Sequence, residues 1–137
     1  MDENLEDIRL KIQKMAEVAE SKGEPFGWFE ELYENANRQS EDVPWARMEP
    51  HPKLVEWVAN RPGVNGKALV VGCGLGDDAE WLEEIGFEVT AFDISKSSID
   101  WCRERFPHSS VNYCVSDLFA PPKNWMNEFD LIVEIHI

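Results

Sequence analysis

The sequence has 137 residues, 43% of them apolar, which is enough for one compact core and too short for two ordinary domains. It carries 13 Lys+Arg against 27 Asp+Glu, a net charge of −14 at pH 7, and neither half has a basic excess. Affinity for nucleic acid or an anionic membrane comes largely from Lys and Arg meeting phosphates, so those partners are excluded and a small-molecule ligand is expected.

In chain order, Leu5, Ile8, Ile12, Met15 and Ala19 recur at alternating spacings of three and four, which predicts an amphipathic helix from Asp2 to Ser21. Lys22-Gly23 stops it. A second helix is expected over Trp28–Asn37, an irregular proline-containing connector over Gln39–Pro52, and a third helix over Lys53–Ala59. Beyond Gly66 short apolar strands alternate with helices: strands at Lys67–Gly72, Phe87–Phe92, Val111–Val115 and Phe129–Ile135, and helices at Asp77–Ile85 and Lys96–Phe106. Such alternation implies a mainly parallel sheet with right-handed crossovers, an α/β Rossmann-like three-layer sandwich preceded by N-terminal helices. The division expected is 1–60 for a helical lid segment and 61–137 for the sheet domain.

Cys73, Cys102 and Cys114 are odd in number and lack the short paired spacings of a zinc site or a disulfide framework, so no metal and a reduced, cytoplasmic protein are expected. No apolar run approaches membrane-spanning length, and Met1-Asp2-Glu3-Asn4 does not open a secretory leader.

The most informative segment is Val70-Val71-Gly72-Cys73-Gly74-Leu75-Gly76-Asp77-Asp78. A buried strand delivers three glycines into a turn that opens a helix, so a ligand can lie against the backbone. The dinucleotide fingerprint G-x-G-x-x-G needs glycine where Asp77 stands, and a pyrophosphate there would face Asp77 and Asp78. A cationic ligand suits the loop better. S-adenosylmethionine carries a sulfonium and an ammonium and no phosphate. Asp93, followed by Ile94, closes the second strand, where a carboxylate accepts hydrogen bonds from ribose hydroxyls. After the third strand, Asp117 is placed to take an adenine amino group and the Leu118 amide a ring nitrogen. Helix capping by Asp93 and turn capping by Asp117 are the structural alternatives.

In these residues, together with Phe129-Asp130-Leu131-Ile132-Val133, the chain resembles the class I S-adenosylmethionine-dependent methyltransferases over roughly residues 44–137. The resemblance implies S-adenosylmethionine as cofactor, with Gly72, Cys73, Gly74 and Gly76 under its methionine portion and a sheet order 3-2-1-4. That family's sheet has seven strands, of which four are present, so a C-terminal truncation is expected. The segment Val43–Pro52 is similar to the lead-in of the thiopurine-type small-molecule members. This likeness implies that Trp45 lies beside the sulfonium and that Arg47 clamps a carboxylate; packing and solvation are the alternatives. Glu134 and His136 follow the fourth strand, where the family places substrate-facing groups, and they are the candidates for catalytic or cofactor contact. The expected activity is methyl transfer to a small-molecule acceptor. Two other readings stay open: an NAD(P)-dependent oxidoreductase, and a non-catalytic cofactor-binding fragment forming a homodimer through the apolar strand Leu131–Ile137.

Overall fold

The computed structural model describes residues 5–23 and 27–135. Three helices come first: α1 (Leu5–Ser21), α2 (Gly27–Asn35) and α3 (Pro52–Ala59), with a 3-10 turn at Ser40–Asp42. The sheet region follows as β1 (Lys67–Val71), α4 (Asp77–Glu84), β2 (Glu88–Asp93), α5 (Lys96–Arg105), β3 (Asn112–Val115), a 3-10 turn at Lys123–Trp125, and β4 (Leu131–Glu134). No helix among the described residues is long and apolar enough to cross a membrane.

All three strand pairings are parallel, in the order β3-β2-β1-β4, which matches the expected arrangement. The handedness of parallel crossovers then decides which face each connection covers. Moving from β1 to β2 to β3 in one direction puts α4 and α5 on the same face. Ala79, Leu82, Ile99 and Cys102 of these helices pack there on Ala68, Val70, Val89 and Ala91, and Leu54 of α3 joins them. The return from β3 to β4 crosses the opposite face, where Trp125 and Phe129 cover Leu69, Val71 and Phe92. Ile132 on that side of β4 is 62% exposed.

Several boundaries are shorter than the periodicity suggests, each for a local reason. Helix α2 stops at Asn35 because Asn37 and Arg38 turn the chain with φ of 49° and 65°. Strand β2 begins at Glu88 because the Phe87 N–H donates to the Leu82 carbonyl instead of to the sheet. Asp130 accepts the Lys67 N–H through its carboxylate and donates its own N–H to the Lys67 carbonyl, a pairing that starts β4 and turns Phe129 toward Trp125. The first residues of the expected N-terminal helix, 2–4, lie outside the described residues.

The N-terminal helices do not stand apart from the sheet. Leu32 and Tyr33 of α2 and Ala36 just beyond it are buried with Val43, Leu75 and Trp101, so this N-terminal region packs on the glycine loop and on α5. Ile12 and Met15 of α1 back the same cluster.

Candidate cofactor site

Because the four strands run in one direction, their carboxyl ends share one edge, and a cavity of about 590 Å³ lies along it. The glycine loop, Asp93 and Ile94 form its floor. Trp28, Phe29 and Trp45 form the facing wall.

The loop is held open from below. Gly72, Gly74 and Gly76 all have positive φ, and the Cys73 N–H is tied to the Phe92 carbonyl at 2.9 Å. Ser98 Oγ and Cys102 Sγ of α5 both donate to the Gly74 carbonyl, while the Gly74 N–H donates to Asp93 Oδ2 at 3.0 Å. The Ser95 N–H donates to Asp93 Oδ1 at 3.1 Å. Asp93 is thus only 7% exposed, yet it borders the cavity. Burial raises its pKa above the usual carboxylate range, and the N–H groups of Ser95, Gly74 and Ile94 pull the other way. The half-buried Cys73 thiol is pushed well up by its hydrogen bond to Cys102 and by desolvation, and stays protonated at neutral pH.

The facing wall is an aromatic cluster. Trp28 and Phe29 stack with centroids 3.9 Å apart, and Trp45 meets both edge-on at 6.1 Å. The Trp45 Nε1–H donates to the buried Tyr33 hydroxyl at 2.7 Å, which fixes the indole. A Cβ at position 74 would meet that hydroxyl in ordinary contact at 3.4 Å, so it is the φ of 55° that favours glycine there.

The charge argument from sequence needs one correction. Asp77 does not present a free carboxylate, because Arg105 of α5 holds it through two hydrogen bonds of 3.0 Å and also donates to the Leu75 carbonyl at 2.7 Å. Asp78 accepts the His51 N–H at 2.7 Å, fastening the connector before α3 to the start of α4. Burial raises the Asp78 pKa. The acidic character of the site survives this pairing: besides the paired Asp77, the cavity is bordered by Glu49, Asp78, Asp93 and Asp117 against Arg47.

Arg105→Leu strands the largely buried Asp77 charge and the Leu75 carbonyl. Removing one partner of a fully buried pair costs about 3–5 kcal/mol, and the side chains here remain about one-fifth exposed, so a loss of about 2 kcal/mol is expected in denaturant unfolding. Adding Asp77→Asn should restore most of it; an Arg105→Leu chain of unchanged stability would show that the pair does not hold the loop.

The structure brings together Gly72, Cys73, Gly74, Gly76, Asp93, Ile94, Asp117, Leu118, Trp45 and Arg47 around this one cavity. Arg47 sits on its rim, 4.0 Å from Glu49 and about half exposed. Asp117 also caps its own turn, accepting the Phe119 N–H at 2.9 Å. Glu134 is exposed on β4 and is not among the cavity residues, although its strand partner Val71 and its neighbour Ile135 are. His136 lies outside the described residues. Sequence reasoning missed Trp28, Phe29, Tyr33 and His51, which also border the cavity. The signal for the first three was an aromatic doublet followed by a further aromatic one helical turn on.

Comparison with known proteins agrees with this arrangement. A family model described as a methyltransferase domain matches residues 68–137. A probable thiol methyltransferase 2 from Arabidopsis thaliana is 30% identical over 98 residues, covering 67% of this chain and 42% of that protein. The chain therefore spans less than half the length of this relative. Among solved structures, one from work on conversion of a disulfide bond into a thioacetal group during echinomycin biosynthesis superposes with a TM-score of 0.61 at 26% identity, covering 68% of this chain and 39% of that one. A TehB-like S-adenosylmethionine-dependent methyltransferase from Corynebacterium glutamicum has a TM-score of 0.52 at 25% identity, covering 73% and 52%. With its glycine loop, its 3-2-1-4 sheet and more than half its length matched by the family model, the chain belongs to the methyltransferase domain family, the class I S-adenosylmethionine-dependent methyltransferases.

Proposed function

We propose that the chain binds S-adenosylmethionine in the cavity at the sheet edge and takes part in methyl transfer to a small-molecule acceptor. The observation that carries this reading is the chemistry of one cavity: a buried carboxylate at the end of β2, an open glycine floor, an aromatic wall and a predominance of acidic side chains. These groups fit the cofactor. Asp93 would hold the ribose hydroxyls, the loop 72–76 would lie under the methionine portion, and Asp117 with Leu118 would border the adenine. Acidic surroundings favour a sulfonium and an ammonium and disfavour a pyrophosphate, which argues against the dinucleotide reading.

When bound, the cofactor supplies a methyl group on a positively charged sulfur. The residues of this chain contribute position and exclusion of water: Trp45, locked by Tyr33, and Trp28 on Phe29 present ring faces and edges to a site where a cation is stabilised by aromatic quadrupoles. The net charge of −14 and the name of the Arabidopsis relative support a small acceptor, with a thiol as the first class to try.

The test is transfer of isotope-labelled methyl from S-adenosylmethionine to low-mass thiols, amines and hydroxyl compounds, with RNA and protein as competing acceptors. Label in a low-mass product is expected. Label only in RNA or protein would overturn the small-molecule reading, and no label despite tight cofactor binding would overturn the catalytic one.

A further inference from the structure

One side chain couples the aromatic wall to the floor of the site, and nothing in the cofactor chemistry above uses it. Glu30 projects from α2, between Phe29 and the next turn, into the N-terminus of α5. Its Oε1 accepts the Ser97 N–H at 2.7 Å and the Ser95 hydroxyl at 3.2 Å, and its Oε2 accepts the Ser97 hydroxyl. A helix N-terminus favours a carboxylate, and here one from another element occupies it.

The contacts continue inward without a break. Ser95 is fully buried; its Oγ accepts the Ser98 N–H at 3.1 Å, and its own N–H donates to Asp93. Ser98 and Asp93 in turn hold the carbonyl and the N–H of Gly74. One chain of hydrogen bonds therefore runs from Glu30 through Ser95 to Asp93 and the glycine loop. On the same helix as Glu30, Trp28, Phe29 and Tyr33 border the cavity from above.

We infer that Glu30 is a positioning residue, a latch that fastens α2 over the cofactor pocket so that docking of the aromatic wall and cofactor binding support each other. This rests on the cofactor reading above. Ligand that touches both wall and floor binds the latched form better than the unlatched one, and that difference is the coupling. Without the latch, α2 keeps the Tyr33 hydrogen bond to Trp45 and its apolar contacts with Val43, Leu75 and Trp101 but loses its hydrogen bonds to α5, and part of the ligand's binding energy goes into docking the helix.

The experiment compares wild type, Glu30→Ala, Glu30→Gln and Ser97→Ala in the full chain. Amide hydrogen exchange reads α2 and β1 separately, and calorimetry reads S-adenosylhomocysteine affinity. In Glu30→Ala, α2 amides should exchange faster while β1 amides stay protected, and affinity should fall roughly tenfold. Glu30→Gln keeps an acceptor for the Ser97 N–H and should recover most of both. Ser97→Ala, which leaves that N–H in place, should show the same pattern more weakly and keep the test open if Glu30→Ala unfolds. Unchanged affinity with faster α2 exchange would overturn the coupling, and unchanged exchange would overturn the latch. If the wild-type chain binds no S-adenosylhomocysteine, the functional reading fails, whereas faster α2 exchange in Glu30→Ala would still uphold the latch.

Discussion

Replacing Asp93 by alanine should lower S-adenosylhomocysteine affinity by about 1.5–3 kcal/mol, roughly 10- to 150-fold, and destabilise the fold as well. The two effects have separate origins. In the free protein Asp93 accepts the N–H groups of Gly74 and Ser95, and alanine leaves both donors unpaired below the loop at a cost of about 1–3 kcal/mol each. In the complex the same carboxylate would meet the ribose. Denaturant unfolding and calorimetry together measure both, and an Ala variant that loses stability while keeping full affinity would remove Asp93 from the ligand.

The ionisation of Asp93 gives this assignment a pH signature. Burial raises its pKa above the ordinary 3.8, so the folded state holds the proton more tightly than the unfolded chain does. Its contribution to stability is therefore largest below the unfolded value and declines as pH rises through the folded one. Ligand binding runs the opposite way, because the ionised carboxylate accepts from hydroxyl donors more strongly than the protonated acid does. Affinity should fall on acidification at a pH above the normal carboxylate range, and Asp93→Asn should flatten that fall. Parallel profiles for the two proteins would assign the titration elsewhere, with Asp78, also raised by burial, the next group to change.

Gly76→Ala is expected to have the other large effect. The residue caps α4 with φ of 92°, a left-handed conformation that costs a non-glycine residue about 1–2 kcal/mol. An added Cβ would also lie 2.6 Å from the Tyr113 hydroxyl and 3.2 Å from Cys102 Sγ. The hydroxyl has no easy retreat, because it donates to Glu80 at 2.6 Å and its ring is buried. Strain and overpacking together predict a loss of about 3 kcal/mol, near 10 °C in thermal midpoint. A Gly76→Ala chain that melts with wild type would show that the loop adopts a different turn in solution.

The parts of this architecture that were legible in the sequence follow from period and punctuation. Continuous apolar runs such as Ala68-Leu69-Val70-Val71 read as strands buried on both faces, and the glycines mark where the backbone must turn under a ligand. Strand order followed from the alternation together with the resemblance. Side-chain partnerships were not legible. Asp77 and Arg105 lie on different helices, and only the packing of α5 against the loop makes them a pair, which changed the charge argument. The same is true of Glu30, whose partners on α5 are about two-thirds of the way along the chain from the N-terminus. Trp28 and Phe29 were not legible as site residues, because an aromatic doublet on a helix does not by itself distinguish a face that covers a core from one that roofs a cavity. Glu134 illustrates the converse: its place at a strand end suggested a site, and the cavity does reach its strand partner Val71 and its neighbour Ile135, yet Glu134 itself is exposed and is not among the lining residues.

The most direct test of the central claim is a calorimetric titration of the chain with S-adenosylhomocysteine, run beside NAD as the control. The acidic cavity with its buried Asp93 predicts one site for S-adenosylhomocysteine, weakened in Asp93→Ala, and no binding of NAD. Tighter binding of NAD, or binding of neither ligand by the folded chain, would contradict the account.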